Sequence, residues 1–363
     1  IAGPIVHHGE MLGQFAARRP RERVGQDILL GLSVFAVGLF KKTVLADGVA
    51  PYADTVFALA GGGASIDLLY AWSGALAYTV QLYFDFSGYS DMAIGLGLLF
   101  GIRLPLNFDS PYRSGSIIEF WRRWHMTLSR FLRDYLYFPL GGGRGDALSR
   151  YRNLMLVMLL GGLWHGAGWT FVLWGGLHGL YLLVNHGWRA SVSASGGAPR
   201  VPVPLARALS IGVTFLAVVL AWVFFRAEDA GTAWRVLVAM SGANGIALSP
   251  GLLDAVTAVA PWATSLGVHA SELPGLGPLF VVFRDAITLA GGTLSGEQVG
   301  SLTVLATLVP LLLIVFLAPN TQTLLGYSPR AGRAPRDTIA ATAGPSAGAG
   351  PGSGSGRADP DPD

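Results

Sequence analysis

The stretch at positions 161–169 reads GGLWHGAGW and lies at the centre of a long segment without charged residues. No Asp, Glu, Lys or Arg occurs between Arg152 and Arg189. A membrane-spanning helix needs about 20 mostly apolar residues, so this length predicts two short spans, or one span and a re-entrant piece. His165 and His178 lie within the segment, where an ionisable side chain is costly and therefore suggests a function. Alternatively, both histidines hydrogen-bond to backbone carbonyls where glycine-rich helices pack closely.

Composition indicates a membrane protein. Of the 363 residues, 52% are hydrophobic and 13% are charged, whereas about 25% of residues are charged in typical soluble domains. The formal net charge of +3 is scattered through the predicted loops, so no nucleic-acid partner is expected. Cysteine is absent, which excludes disulfides, thiolate catalysis and cysteine metal sites.

The two ends of the chain lead to separate expectations. The sequence begins with Ile1 and shows no signal peptide, so we expect a fragment that lacks its N-terminal spans. Residues 331–363 are rich in Gly, Ala, Pro and Ser and are predicted to form a disordered tail. Residues 1–330 are then predicted to form one transmembrane domain.

Uncharged runs predict the other membrane spans. The run at 28–40 is short for a span unless 46–50 extends it past Lys41 and Lys42. In residues 231–300, Gly and Pro interrupt the apolar runs, and their structure stays open. Clearer spans are predicted at 68–84, 208–225 and 301–318.

The motif FDFSGYSD at 84–91 interrupts the apolar pattern, with Asp85 and Asp91 on either side of Ser-Gly-Tyr. This arrangement predicts a helix junction at which a polar side chain caps the next helix. The alternative is that the two acids line a polar cavity inside the protein.

Residues 119–139 show the pattern of one amphipathic helix. At about 100° per residue, Trp124, Leu128 and Leu132 share an apolar arc, and the arginines lie on the opposite arc. Such a helix is suited to the membrane interface. His125 lies at the edge of the apolar arc, so its side chain is expected to point towards protein or lipid.

The available residue types restrict the chemistry. His165 and His178 would face directions about 220° apart on one continuous helix, so no metal site is expected. A serine-hydrolase elbow is missing from the predicted folded part. What remains is a buried histidine as general base, and His165 lies between glycines and tryptophans that admit a close backbone and exclude water. A second polar group such as His125 could orient its ring or hydrogen-bond an oxyanion.

Four motifs carry a family resemblance. They read LPLNF at 104–108, FWRRWHMTLS at 120–129, RDYL at 133–136 and GLWHG at 162–166. Together they resemble the membrane-bound O-acyltransferase (MBOAT) family, and in particular its bacterial branch for alginate O-acetylation and teichoic acid D-alanylation. The resemblance extends over residues 1–325.

The resemblance implies an all-α fold, namely a polytopic membrane helical bundle around a central funnel or tunnel with amphipathic interfacial and re-entrant helices. It also implies that His165 matches the invariant catalytic histidine of the family and that His125 matches its second active-site position. His178 has no family role, so packing is expected for it. The donor implied is acetyl-CoA or another acyl thioester, used as substrate with no bound cofactor.

The function implied is O-acetylation of an extracellular polysaccharide, such as alginate, by a multi-pass protein of the bacterial cytoplasmic membrane. The expected partners are the lipid bilayer, the polysaccharide and an extracytoplasmic acetyltransferase. Two other functions stay open, namely a transporter or channel whose buried histidines relay protons, and a non-catalytic scaffold that recruits a secreted protein. Transporters commonly show internal repeats, and no repeat of fixed period is visible here.

Overall fold

The computed structural model describes residues 3–16, 21–194, 202–248, 268–270 and 302–327. The described residues are mostly helical, and the predicted all-α class is confirmed apart from one short pair of strands. These strands, β1 (Ile246–Leu248) and β2 (Val268–Ala270), pair in parallel with Ile246 opposite Val268. Both fall within the stretch whose structure the sequence left open.

The α-helices are numbered in chain order. Their bounds are α1 His8–Ala16, α2 Arg21–Phe40, α3 Asp47–Gly61, α4 Leu68–Leu99, α5 Ile117–Arg123, α6 Met126–Leu132, α7 Ala147–His165, α8 Trp169–Ala194, α9 Val203–Arg226, α10 Ala230–Met240, α11 Leu302–Leu317 and α12 Thr321–Leu325. A 3₁₀ turn at Pro111–Arg113 and π-helical segments at Lys41–Ala46 and Arg133–Tyr137 complete the described helical structure.

Two described helices are long and apolar enough to cross a membrane. The first is the 39-residue helix Arg23–Gly61, in which the π-helical segment joins α2 to α3. The predicted extension past Lys41 and Lys42 is therefore confirmed. The second is α9, with 24 residues, which matches the span predicted at 208–225. That the whole bundle is polytopic stays a prediction.

Helix α4 is the central element of the helical domain. Its 32 residues rise about 48 Å, and it packs against α2, α3, α9, α10 and α11. Asp67 starts the helix, because its carboxylate accepts hydrogen bonds from the backbone N–H groups of Leu69 and Tyr70. From there α4 runs without a break through 84–91. The predicted helix junction in this motif is therefore wrong.

The acids of the 84–91 motif lie on a continuous helix because lysines of the neighbouring segment neutralise them. Lys41 Nζ lies 2.7 Å from Asp91 Oδ2, and Lys42 Nζ lies 2.9 Å from Asp85 Oδ1. Asp91 is buried and also accepts a hydrogen bond from the Thr321 hydroxyl at 2.6 Å. Asp91 contributes to a small polar cavity, whereas Asp85 does not line it, so the alternative that both acids line a cavity holds for Asp91 alone.

Glycines allow α2 and α4 to pack with their backbones in contact. A Cβ on Gly38 would lie 2.6 Å from the carbonyl oxygen of Gly88, and a Cβ on Gly88 would lie 2.6 Å from that of Gly38. Gly31 and Gly95 make the same reciprocal contact at another point along the two helices. Small residues at such crossings are the usual means of close helix packing in membranes. This contact also brings the two lysines to the acids of α4.

Replacing Lys41 by methionine is expected to destabilise the fold by roughly 3–5 kcal/mol, because Asp91 would then be a buried charge without its cation. Lys42→Met provides the matched control. The Lys42 side chain is 40% exposed, and a surface pair contributes at most about 1 kcal/mol. Thermal unfolding in detergent should give a clearly lower midpoint for Lys41→Met than for Lys42→Met. Equal midpoints would refute the structural role given to the buried pair.

The amphipathic segment 119–139 is not one helix, and that prediction is wrong. Helix α5 ends at Arg123, α6 begins at Met126, and His125 between them adopts a left-handed conformation with φ 42° and ψ 52°. The apolar positions Leu128 and Leu132 are buried as predicted, whereas Tyr135 beyond them is 52% exposed. The break turns the His125 side chain into the protein interior, where it is buried.

The proposed boundary at 330 and the predicted tail at 331–363 lie outside the described residues, as do residues 195–201 between α8 and α9. The last predicted span, at 301–318, corresponds to α11, whose described part begins at Leu302. Its inner part, Thr307–Leu317, is a short apolar helix.

Candidate active site

The central uncharged segment folds as two helices, α7 and α8, which meet at the turn after His165. Three glycines allow the two helices to approach. A Cβ on Gly162 would lie 2.3 Å from the carbonyl oxygen of Phe171, and a Cβ on Gly175 would lie 2.3 Å from that of Met158. At the turn, a Cβ on Gly166 would lie 2.4 Å from the Phe171 ring. These glycines fix the end of α7, and with it the position of His165.

His165 and His125 line one cavity, although they come from separate parts of the chain. The cavity has a volume of about 350 Å³. Its walls are contributed by α4, by the turn between α5 and α6, by the end of α7, and by α8 and α9. The lining residues are Leu82, Phe86, Trp124, His125, Trp164, His165, Trp174, Trp222 and Phe225.

Aromatic rings surround the His165 side chain. Its ring centroid lies 5.0 Å from that of Trp164, 5.2 Å from that of Trp174 and 5.2 Å from that of Phe225, each in an edge-to-face arrangement. Neither ring nitrogen has a hydrogen-bond partner among the residues that the structure describes. Since His165 lines the cavity, its ring is available to a molecule bound there.

Trp222 forms a fixed wall of the cavity. Its Nε1–H donates to the Tyr112 hydroxyl oxygen at 3.1 Å, and that hydroxyl donates to the Thr79 carbonyl at 2.8 Å. The Trp222 ring also stacks on Trp174, with centroids 5.7 Å apart and planes inclined by 15°. Both indoles are almost completely buried. This part of the cavity wall is therefore rigid.

His125 is buried, with 3% exposure, and its ring is held from two sides. Its Nδ1 lies 3.0 Å from the side-chain oxygen Oδ1 of Asn107. The Phe86 ring lies edge-to-face at 4.7 Å. The left-handed backbone at His125 is rare for a residue with a side chain and costs on the order of 1–3 kcal/mol. The contacts of the following helix with Asn107 offset this cost.

His178 lies outside the cavity lining and packs among aromatic rings. It is completely buried, it stacks on Phe120 with planes inclined by 12°, and it contacts Trp121 and Trp174. Neither of its ring nitrogens has a hydrogen-bond partner among the described residues. The prediction of packing fits this environment, whereas the alternative that the ring satisfies backbone carbonyls is wrong.

Replacing His178 by leucine is expected to change activity by less than about threefold and to leave the unfolding midpoint unchanged or higher. A buried polar group without a partner costs about 1–3 kcal/mol, and leucine has a similar size without that cost. His125→Leu, the same substitution in the cavity, should lower activity at least tenfold. Parallel assays of the two variants check this expectation, and an equal loss in both would refute the packing role.

The electrostatic character of the cavity follows from its lining. The two histidines are the titratable residues in its lining, and no carboxylate or amine lines it. The indole N–H of Trp222 is turned to Tyr112 and that of Trp174 is buried. In such a low-dielectric environment a neutral imidazole is favoured over imidazolium. Within the described ranges, no group of three His, Asp or Glu side chains is placed to hold a metal ion.

Sequence reasoning identified both histidines but missed the residues that hold them. Asn107 was quoted within the LPLNF motif without a role, although a buried amide in a motif is a signal for a specific hydrogen bond. The sequence assigned no role in the site to Trp174 or Trp222. Their function as cavity walls depends on how α8 and α9 pack, which the sequence pattern does not show.

Comparison with known proteins places these features in a family. Peptidoglycan O-acetyltransferase of Helicobacter pylori is 51% identical over 248 residues, covering 68% of this chain and 45% of that protein. The probable alginate O-acetylase AlgI of Pseudomonas aeruginosa is 50% identical over 240 residues, covering 66% and 43%. Teichoic acid D-alanyltransferase of Streptococcus thermophilus is 33% identical over 162 residues, covering 41% and 39%. The chain thus spans less than half the length of these relatives.

The sequence model of the family described as "MBOAT, membrane-bound O-acyltransferase family" matches residues 1–223. This range is more than half of the chain and contains the whole segment from the 84–91 motif to the α7–α8 turn. It confirms the resemblance seen in the motifs. The chain belongs to the membrane-bound O-acyltransferase family.

Proposed function

We propose that the protein is a membrane-embedded O-acyltransferase that uses cytosolic acetyl-CoA, or another acyl thioester, for O-acetylation of an extracellular polysaccharide such as alginate. The observation that carries this proposal is that His125 and His165 line one aromatic cavity. A histidine in a water-poor cavity suits general-base catalysis on a hydroxyl group. The names of the relatives, two of which are O-acetylating proteins, support the acetyl group and the polymer acceptor.

In the proposed reaction, His165 is the general base. The acceptor hydroxyl oxygen attacks the thioester carbonyl carbon while the His165 imidazole takes the hydroxyl proton. The tetrahedral intermediate then collapses, the carbon–sulfur bond breaks, and the leaving thiolate receives the proton from the imidazolium. The products are an oxygen ester and a free thiol, and His165 returns to its neutral form. Base catalysis of this kind contributes roughly 10²–10⁴ in rate.

The aromatic lining supports this chemistry in two ways. It keeps water away from the thioester, which limits hydrolysis as a competing reaction. It also holds the imidazole neutral before the reaction, because a charge without a partner is costly among apolar rings. Trp164, Trp174 and Phe225 restrict the His165 ring to a narrow range of orientations.

We further propose that the cavity is part of a central funnel or tunnel through a multi-pass bundle of the bacterial cytoplasmic membrane. The two long apolar helices support membrane insertion. In this account an extracytoplasmic acetyltransferase is the partner that completes transfer to the polysaccharide. Its recognition surface would lie on the side opposite the acyl thioester.

The proposal can be tested in a polysaccharide-producing bacterium whose own homologue is deleted. Expression of the protein should restore O-acetyl esters on the extracellular polysaccharide. A transporter or channel would instead move protons across the membrane and form no ester. Protein that is present in the membrane but restores no ester would contradict the proposed function.

A further inference from the structure

Asn107 is a buried residue next to the candidate active site. It is 1% exposed, it does not line the cavity of His125 and His165, and it lies in the segment between α4 and α5. Its side chain nevertheless contacts His125 directly, through a 3.0 Å distance from Oδ1 to Nδ1. The direction of this hydrogen bond depends on the orientation of the Asn107 amide and on the tautomer of His125.

The surrounding donors fix the orientation of the Asn107 amide. The backbone N–H of Thr127 can only donate, and it points at the Asn107 side-chain atom assigned as Oδ1, at 3.4 Å. The Thr127 hydroxyl oxygen accepts from the N–H of Ile5 at 2.9 Å and donates to the same Oδ1 at 2.9 Å. On the other side, Asn107 Nδ2 donates to Ser90 Oγ at 3.1 Å. Oδ1 is thus an acceptor for each neighbour.

The orientation of the amide determines the tautomer of His125. Because Oδ1 can only accept, the hydrogen bond at 3.0 Å requires a proton on Nδ1 of His125. His125 has no carboxylate partner in the described part of the chain, so the buried ring is neutral. A neutral imidazole with hydrogen at Nδ1 has a free lone pair at Nε2. That nitrogen is left for a molecule in the cavity.

We propose that Asn107 is a positioning residue that holds His125 in the Nδ1–H tautomer, so that Nε2 is a hydrogen-bond acceptor in the cavity. The role of this tautomer in acyl transfer rests on the proposed function. An acceptor nitrogen binds an O–H or N–H group of the substrate other than the hydroxyl whose single proton His165 takes. It does not stabilise an oxyanion, which requires a donor. Asn107 therefore restricts His125 to positioning the substrate through an accepted hydrogen bond.

The backbone supports the same arrangement. The N–H of Met126 donates to the Asn107 carbonyl oxygen at 2.9 Å, so Asn107 also receives the first N–H groups of α6. No side chain of the preceding residue caps this helix. Asn107 consequently fixes both the left-handed turn at His125 and the orientation of its ring. A substitution at position 107 is therefore expected to affect both the turn and the ring orientation.

The direct test is nitrogen NMR of the full-length protein in lipid, with ¹⁵N-labelled histidine. The spectrum distinguishes Nδ1–H from Nε2–H imidazoles, and the signals of His125 are identified by their loss in His125→Leu. We expect the Nδ1–H form in the wild-type protein. An Nε2–H form of His125 would overturn the proposal, and this result needs no variant of Asn107. This readout does not depend on acetyl transfer, so it stays valid if the proposed function fails.

Three variants separate positioning from structural support. Asn107→Leu should lose the tautomer preference and lower polysaccharide O-acetylation roughly 10–100-fold. Asn107→Asp keeps an acceptor oxygen, so a hydrogen should stay on Nδ1, but the new carboxylate should shift His125 towards imidazolium and remove the acceptor at Nε2. Ser90→Ala removes only the hydrogen bond from Asn107 Nδ2. It should leave the His125 tautomer unchanged and the O-acetylation within about threefold of the wild type. An unchanged Nδ1–H tautomer in folded Asn107→Leu would overturn the proposal.

Discussion

Replacement of His165 by alanine is expected to lower O-acetylation of the polysaccharide by roughly 10²–10⁴-fold, while the protein stays folded in the membrane. The loss follows from the removal of the group that takes the proton of the attacking hydroxyl. His165 makes ring contacts with Trp164, Trp174 and Phe225, but no hydrogen bond to a described residue depends on it. The substitution should therefore affect chemistry far more than stability.

The matched control for His165 is His186, also within the central uncharged segment. His186 lies on α8 away from the cavity, and its ring contacts Tyr151 at 6.4 Å. His186→Ala should leave O-acetylation unchanged within about twofold, because no step of the proposed reaction involves it. The measurement is the number of O-acetyl esters per sugar, normalised to the amount of protein in the membrane. Equal ester contents in the two variants would refute the general-base role of His165.

Substitution of Gly175 by alanine is expected to destabilise the α7–α8 pair and to abolish most of the activity. The new Cβ would lie 2.3 Å from the backbone carbonyl oxygen of Met158, so one helix must move. Such overpacking costs roughly 1–3 kcal/mol or more. Movement of α7 displaces His165 at its end, and a displacement of about 1 Å can reduce a rate by about 10².

Gly176, the next residue, provides the control for Gly175. A Cβ there would lie 3.6 Å from Leu159 Cδ2, which is an ordinary van der Waals contact. Alanine is favoured over glycine inside a helix by about 1 kcal/mol. Gly176→Ala should therefore be neutral or stabilising, and Gly175→Ala should lower the thermal midpoint and the activity. A shift of the thermal midpoint in the same direction for both variants would contradict this contact between the helices.

The sequence predicted the helical elements best where long uncharged runs determine them. The spans at 208–225 and 301–318 correspond to α9 and α11, because a run of this length has no stable alternative to a helix in a membrane. For the central uncharged segment the sequence left two alternatives, namely two short spans, or one span and a re-entrant piece. Its division into α7 and α8 depends on glycine contacts between the two helices, and these contacts are tertiary.

The two errors in the helical assignment have the same physical cause. Asp85 and Asp91 interrupt an apolar pattern, but two lysines of the π-helical segment after α2 neutralise them, so α4 continues. At His125 the pattern continues, but hydrogen bonds to Asn107 stop one helix and start another. In both places a distant partner decides the local structure, and a single-segment pattern contains no information about that partner.

The candidate site was predicted in its two histidines and not in its architecture. The motifs around His125 and His165 carry the family resemblance, and the structure places both side chains in one cavity. Their chemical roles stay proposals. The aromatic walls and the positioning contact of Asn107 depend on the packing of α4, the α5–α6 turn, α7, α8 and α9. They could not be obtained from the spacing of residues.

The central claim is that His125 and His165 act as one unit in a single acyl transfer, and a double-mutant cycle tests it most directly. O-acetylation is measured for the wild type, His125→Ala, His165→Ala and the double variant, each at equal protein in the membrane. Residues that act together are not additive, so the double variant should match the more impaired single variant within about threefold. A double variant whose loss equals the product of the two single losses would contradict the account.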